Sequence, residues 1–371
     1  MMRSAQIQKK GGQKQKILTR NSSLELLRII AILMIVMHHC ALHTNWGWGD
    51  AFTTKEALVT FFSFFGCVGV GIFFLISGYF MQSTTKFNWK RIFKIARPVW
   101  FYSFGFFIIA ILLGKVPWGL PVPIYTLQSI LPILSNAYWF IGAYIGIQLL
   151  FPFIKKGLDS LTQKQLLKAN LITIGLFVIP ITLTVMFAAE SFSMLMFPSA
   201  FVFTMLGYTV HRFEKQIKSS AWAIVGLLLS LIIFVAAEIF GYFVPVKGGG
   251  LNNEFIWGAQ SLPVILMALS LFIIFSRWRF KNKIINYIAG LTLGIYLIHD
   301  NVWVRDTIWK SFDFINPLFH MNSGTLHFLC YFFGMIFCVF IISGLIECVR
   351  QLGTKLIIYI MDKTKINPPG Y

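Results

Sequence analysis

Acidic residues are scarce in this chain: 13 Asp and Glu stand against 32 Lys and Arg in 371 residues. Charge of either sign is scarce, at 12%, where an ordinary soluble domain carries about 25%. A soluble globule needs more polar surface than that, so this class is excluded. Disorder is excluded by the 17% aromatic content, because disordered chains are poor in aromatics. Cysteine is sparse too. Cys40, Cys67, Cys330, Cys338 and Cys348 form no CxxC pair and all lie in or at the edges of apolar runs. An odd count at such spacings is no disulfide framework and no zinc cluster, and they read as free thiols. The sequence lacks HExxH, P-loop and GxSxG motifs. It shows no internal repeat, which argues against inverted-repeat transporters, and no low-complexity region or linker long enough to mark a second domain.

What is present is apolar sequence: 57% hydrophobic residues and a mean hydropathy of +0.73. A membrane span takes about 20 apolar residues. The expected fold class is therefore all-α, a polytopic integral membrane protein with about ten transmembrane helices. The spans are placed at 24–43, 58–81, 98–113, 135–154, 169–188, 191–210, 221–243, 255–275, 284–300 and 325–347. Residues 1–23 form a basic tail, 24–347 the membrane domain and 348–371 a C-terminal tail. The run after Asn21 has no small-residue cleavage site, so the first span is expected to be retained. Asn21, Ser22 or Ser23 can cap it, with Glu25 in its first turn. Pro98 is expected to start the third span. Residues 114–134, with four prolines among apolar residues, suit an interfacial or re-entrant stretch.

The net charge of +19 would raise nucleic acid as a partner in a soluble protein. Here topology explains it, and no nucleic-acid partner is expected. With the N-terminus taken as cytoplasmic, 26 Lys and Arg fall in cytoplasmic segments and five in outer loops, with Arg28 inside the first span. That asymmetry fits an even number of spans with both termini inside. The expected location is a cell membrane, multi-pass, of bacterial cytoplasmic type, with the lipid bilayer as a partner.

Ionisable residues inside spans are expensive and are functional candidates by default. Span 1 holds Arg28, His38 and His39. Eleven helical steps at about 100° bring Arg28 and His39 within roughly 20° of one face, some 16 Å apart along the axis. His38 stands about 80° away. A cation at one level and an imidazole further out suit an anionic molecule entering from the cytoplasm and proton chemistry beyond it. The bland readings are snorkelling for Arg28 and packing for the histidines. Arg91, Lys94 and Arg97 recur every third residue and form one basic stripe on a helix, either plain positive-inside charge or a phosphate clamp. His299-Asp300 closes span 9, and Trp139, Glu238 and His38 are further candidates on the acceptor side. Trp139 also reads as an interfacial anchor, and Glu238 has no evident partner. The Gly66-Cys67-Val68-Gly69-Val70-Gly71 run, Ser77-Gly78 and Gly142-x-x-x-Gly146 read better as close helix packing than as ligand sites. No metal site is expected.

Several of these segments together resemble the membrane acyltransferase-3 family. Ser23-Leu24-Glu25-Leu26-Leu27-Arg28 through His38-His39 is similar to its first-span motif, an Arg, ten residues and a His, which Arg28 and His39 satisfy and His38 does not. Phe73-Phe74-Leu75-Ile76-Ser77-Gly78-Tyr79, Tyr138-Trp139-Phe140-Ile141 and Leu293-Gly294-Ile295-Tyr296-Leu297-Ile298-His299 resemble further family segments. Arg91-Ile92-Phe93-Lys94 stands where the family has R-x-x-R, with Lys replacing the second Arg, a change that removes a bidentate phosphate contact. The resemblance runs from about residue 22 to 305 and implies an O-acyltransferase. Its donor would be acyl-CoA, with acetyl-CoA the first choice and succinyl transfer chemically similar. Its acceptor would be an envelope or exopolysaccharide, or a lipid-linked precursor. On that reading Arg28 and His39 are catalytic and Arg91, Lys94 and Arg97 bind the donor. Some family members add an extracytoplasmic hydrolase-like domain. Here the sequence ends 24 residues after the tenth span, so the membrane part is expected to complete the transfer or to hand the acyl group to a partner. A polysaccharide exporter or flippase of the same fold without transfer chemistry is the alternative. A glycan polymerase is disfavoured by outer loops of only about 21–24 residues.

Overall fold

The computed structural model describes residues 21–47, 53–81, 88–116, 121–135, 137–179, 196–217, 219–243, 261–310 and 322–364. Every regular element among them is helical. In chain order these are α1 (Ser22–His43), α2 (Thr54–Ser63), α3 (Phe65–Met81), α4 (Trp89–Leu112), α5 (Pro121–Ile130), α6 (Trp139–Ser160), α7 (Gln163–Phe177), α8 (Met196–Phe213), α9 (Ala221–Phe243), α10 (Leu262–Arg277), α11 (Lys283–Ile288), α12 (Thr292–His299), α13 (Arg305–Lys310) and α14 (Thr325–Thr364).

Among the described residues, four stretches are long and apolar enough to cross a membrane by length and composition: Ser22–His43, Thr54–Met81, Trp89–Leu112 and Thr325–Lys363. Shorter apolar helices lie at Ala221–Ala236, Leu262–Arg277 and Lys283–His299. Large apolar side chains stand exposed along α4 (Phe101, Phe104, Ile108), α9 (Val225, Leu228, Ile232) and α14 (Phe337, Ile341, Leu345). Water would penalise such surfaces and lipid does not. The chain is an all-helical membrane protein.

α1 sits at the centre of the packing. Asn21 caps it by accepting from the Ser23 N–H at 3.2 Å. Its first turn is anchored far along the chain, with Ser22 N–H donating to the Phe280 carbonyl at 3.0 Å and Ser23 Oγ to that of Phe275 at 2.6 Å. Leu24, Leu27 and Ala31 join an apolar cluster with α3, α6, α8 and α10. Ile32, Ile35, Val36 and Cys40 join a second, with α4, α12 and α14.

Several of the glycines expected to serve close packing do so. A Cβ on Gly78 would lie 2.0 Å from the Thr204 carbonyl oxygen, and one on Gly207 would lie 2.1 Å from that of Leu75, so α3 and α8 approach backbone to backbone. Gly69 meets α1 in the same way, at 2.5 Å from the Ala31 carbonyl oxygen, and a Cβ on Gly66 would lie 2.3 Å from the His38 side chain.

Three boundaries differ from the sequence-based expectation. Pro98 lies inside α4 rather than at its start. Asn88 caps the helix at the Arg91 N–H, and a single proline removes only one intrahelical bond. The basic stripe therefore stands on the same helix as the third span. Span 9 is broken by a 3₁₀ turn at Ala289–Leu291. The helix of the last span does not stop near residue 347: α14 continues through 40 residues, about 60 Å at 1.5 Å per residue, and takes in residues 348–364, read from the sequence as tail. Residues 1–20 of the N-terminal tail lie outside the described residues.

Candidate active site

One stripe of α1 borders a cavity. Glu25, Arg28, Ile32, Ile35 and His39 follow at alternating steps of three and four, the spacing of a single helical face, and all line one cavity of about 2600 Å³. Arg91, Lys94 and Arg97 of α4 line it too. The same-face relation of Arg28 and His39 and the basic stripe thus belong to one space, with His39 about three turns further along α1 than Arg28.

The Arg28 guanidinium bonds Glu25 at 2.8 Å and lies 5.9 Å from the Phe80 ring centroid. Arg91 donates to the Tyr144 hydroxyl at 3.1 Å. Sequence reasoning missed several neighbours. Arg350 and Lys355 of α14 and Arg277, Arg279, Lys281 and Lys283 around the α10–α11 link line the same cavity. Arg350 holds Glu347 through two bonds of 2.7 Å. Glu347 also accepts from the Tyr102 hydroxyl at 2.7 Å. Residues after 347 read as tail charge, and only the unbroken α14 brings them here.

The two adjacent histidines have different partners. His38 Nδ1–H donates to the Ser63 carbonyl at 2.6 Å, at the α2–α3 junction. His39 Nδ1 lies 2.9 Å from His299 Nε2. His299 Nδ1 lies 2.6 Å from the Ile295 carbonyl oxygen. A carbonyl only accepts, so His299 Nδ1 carries the hydrogen. In a neutral imidazole the other nitrogen then accepts. His299 Nε2 therefore takes the bond from His39 Nδ1–H. His39 Nε2 is left with its lone pair and no hydrogen bond among the described residues, on a residue that lines the cavity.

Asp300 Oδ1 stands 3.8 Å from His39 Nδ1 and 3.7 Å from the Arg305 guanidinium. His43, unremarked in the sequence, lies one turn beyond His39, with ring centroids 5.4 Å apart. Trp139 lines the cavity at the start of α6. The Glu238 side chain lies outside the described residues. Ligand atoms of His39, His43 and Asp300 fall within 4.8 Å of one another. The Arg305 guanidinium against Asp300 sets a fixed positive charge where a cation would sit, which disfavours a metal there.

The structure thus joins a cationic cavity to an imidazole whose second ring nitrogen makes no hydrogen bond among the described residues, within an all-helical membrane protein. The acyltransferase-domain family model, acyltransferase-3, matches residues 21–344. The chain belongs to that family and is a membrane acyltransferase. No curated protein and no solved structure matches the chain.

Proposed function

We propose that the protein is an O-acyltransferase of a bacterial cytoplasmic membrane, crossing it about ten times with both termini in the cytoplasm. It takes an acyl group, acetyl by preference, from cytoplasmic acyl-CoA and places it on a hydroxyl of an extracytoplasmic or lipid-linked polysaccharide. The observation that carries this reading is the single cavity joining the basic cluster to His39.

The cavity's residues fit such a donor. Arg91, Lys94, Arg97 and Arg350 offer fixed and flexible cations for phosphate groups. Arg28, on the same face of α1 as His39, orients the donor's arm. The apolar walls at Ile35, Val70 and Phe73 exclude water from the thioester. His39 Nε2 accepts the proton of the attacking hydroxyl. As the new ester C–O bond forms, the acyl C–S bond breaks, and the proton passes from His39 to the departing thiolate. In a covalent variant, His39 Nε2 attacks the thioester and the C–S bond breaks to release the thiolate; the hydroxyl then attacks the acyl-imidazole, the C–N bond breaks, and the hydroxyl's proton passes to the thiolate.

The test is the acyl-ester content of purified envelope glycans, read by proton NMR before and after mild base. A deletion strain would carry either the wild-type protein or His39→Ala at equal levels. Ester restored by wild type and not by His39→Ala supports the reading. Equal restoration by both sinks the His39 mechanism. If the ester never depends on the gene while the amount of surface glycan does, an exporter replaces the transferase.

A further inference from the structure

α14 is longer than a bilayer is thick. At 40 residues it measures about 60 Å, and at the average tilt of about 20° it still spans about 56 Å. A bilayer with its headgroups is about 40–45 Å thick. Charge marks the end that leaves the lipid. Residues 325–346 hold no Asp, Glu, Lys or Arg, whereas Arg350, Lys355, Asp362 and Lys363 follow. The turns after Arg350 therefore stand beyond the hydrocarbon. One side of the helix serves its own chain. Ser343 and Glu347 are buried, and Glu347, Arg350, Gln351, Thr354 and Ile358 border the cavity. The other side is apolar. Ile342, Leu345, Val349, Leu352, Leu356 and Tyr359 follow at alternating steps of three and four, each more than half exposed. Cys338, also exposed, extends the series back by one step. At about 100° per residue the two sides point roughly 180° apart.

We propose that this side of α14 docks against α14 of a second copy of the chain, as a parallel two-stranded coiled coil from Cys338 to Tyr359. Steps that average 3.5 residues are the seam of such a coil. β-branched Ile342 and Val349 precede Leu345 and Leu352 by three residues, the order that favours two parallel strands. Copies inserted the same way carry α14 in the same direction, so the membrane itself imposes parallel pairing about a two-fold axis. With flanking Ile341 and Ile346, also exposed, the seam offers on the order of 600 Å² per copy, enough for the ~1,200 Å² total of a small stable interface. Lipid covers the first half of the seam as well as a second helix does. The drive comes from Leu352, Leu356 and Tyr359, which water would otherwise face. Lys363 ends the seam, where two ammonium groups would meet, and its own lies 4.9 Å from the Tyr359 ring centroid. The pairing steadies the helix that carries Arg350 and Lys355 to the cavity, whatever group the cavity serves.

The experiment counts copies and then maps the seam. The full chain, with one fluorescent label at its N-terminus, is taken from native membranes into polymer-bounded lipid discs and followed by stepwise photobleaching. Two steps are expected for wild type, and one for Leu352→Lys/Leu356→Lys at an unchanged thermal midpoint. One step for wild type, or more than two, overturns the proposal, as does a folded double variant that keeps two. Should the lysines lower the midpoint, cross-linking in native membranes decides. Copper-phenanthroline is expected to join two wild-type chains through Cys338. Cys338→Ser should lose the band of doubled mass. Leu352→Cys added to Cys338→Ser should restore it, and Thr354→Cys, on the cavity side, should not. Absence of the band in every form, or equal bands from positions 352 and 354, overturns the proposal. A chain that counts as one step while Leu356→Cys is shielded from a water-soluble maleimide has this face covered by the bilayer or by its own chain, and the second copy is then ruled out.

Discussion

The two ends of the cavity are built differently. At one end, cations gather from α4, α14 and the α10–α11 link, and several stand partly in the open, with partners such as Tyr144 for Arg91 and Glu347 for Arg350. At the other end His299 is fully buried and both of its ring nitrogens are engaged, one by a backbone carbonyl and one by His39. Attraction for a polyanion falls off gradually with distance, so cations can bind it from many positions. Proton transfer needs one nitrogen lone pair in one place. The loose end is suited to binding and the rigid end to chemistry, and substitutions at each should show in different kinetic parameters.

The largest effect is expected at the rigid end. His39→Ala should lower the transfer rate by about 10³-fold, within the range for loss of a general base, while acetyl-CoA binding to the purified protein stays within a few-fold. Equal loss of binding would erase the distinction between the ends. His299→Leu comes next. It removes the acceptor for His39 Nδ1–H, and the free imidazole can then turn or change tautomer. A drop of about 30- to 100-fold in kcat is expected, on the scale of partners that orient a reactive group. His299→Gln, whose amide oxygen can accept from His39, should recover part of it. Failure of Gln to outperform Leu would show that His299 only fills space.

At the loose end, Arg91→Ala should raise KM for acetyl-CoA about tenfold, the equivalent of ~1.4 kcal/mol, with kcat little changed. The wild-type KM should also rise between 0.1 and 1 M salt, as the Debye length falls from about 10 to 3 Å. A kcat effect at Arg91 would mean that the two ends are coupled. The smallest kinetic effect is expected from Gly78→Ala, which touches neither end. Its methyl would meet the Thr204 carbonyl oxygen and force α3 from α8, lowering stability by roughly 1–3 kcal/mol. Thermal unfolding in detergent should shift down while the folded fraction keeps its kcat and KM.

Much of this was legible along the chain. Arg28 and His39 fall on one face because helical period is local, and glycine runs in apolar helices mark close approach for the same reason. The cap at Asn21 needed only its own first turn. The failures share a cause. His299 is 260 residues from His39, and its sequence alone left it either an interfacial residue or an acid/base group on the acceptor side. The structure instead uses its Nε2 on His39. Arg350 and Lys355 looked like tail charge because nothing in their neighbourhood says that α14 runs on past residue 347.

Composition and period by themselves determined that the chain is helical, that it belongs in a membrane, and that one arginine and one histidine share a face. Those follow from short-range geometry and from the penalty on charge in lipid. Which partner each of two neighbouring imidazoles takes was decided only by the fold. His38 bonds the junction of α2 and α3, and His39 bonds a histidine on α12. A hydrogen bond is set by atoms within about 3 Å, and helices far apart in sequence supply them.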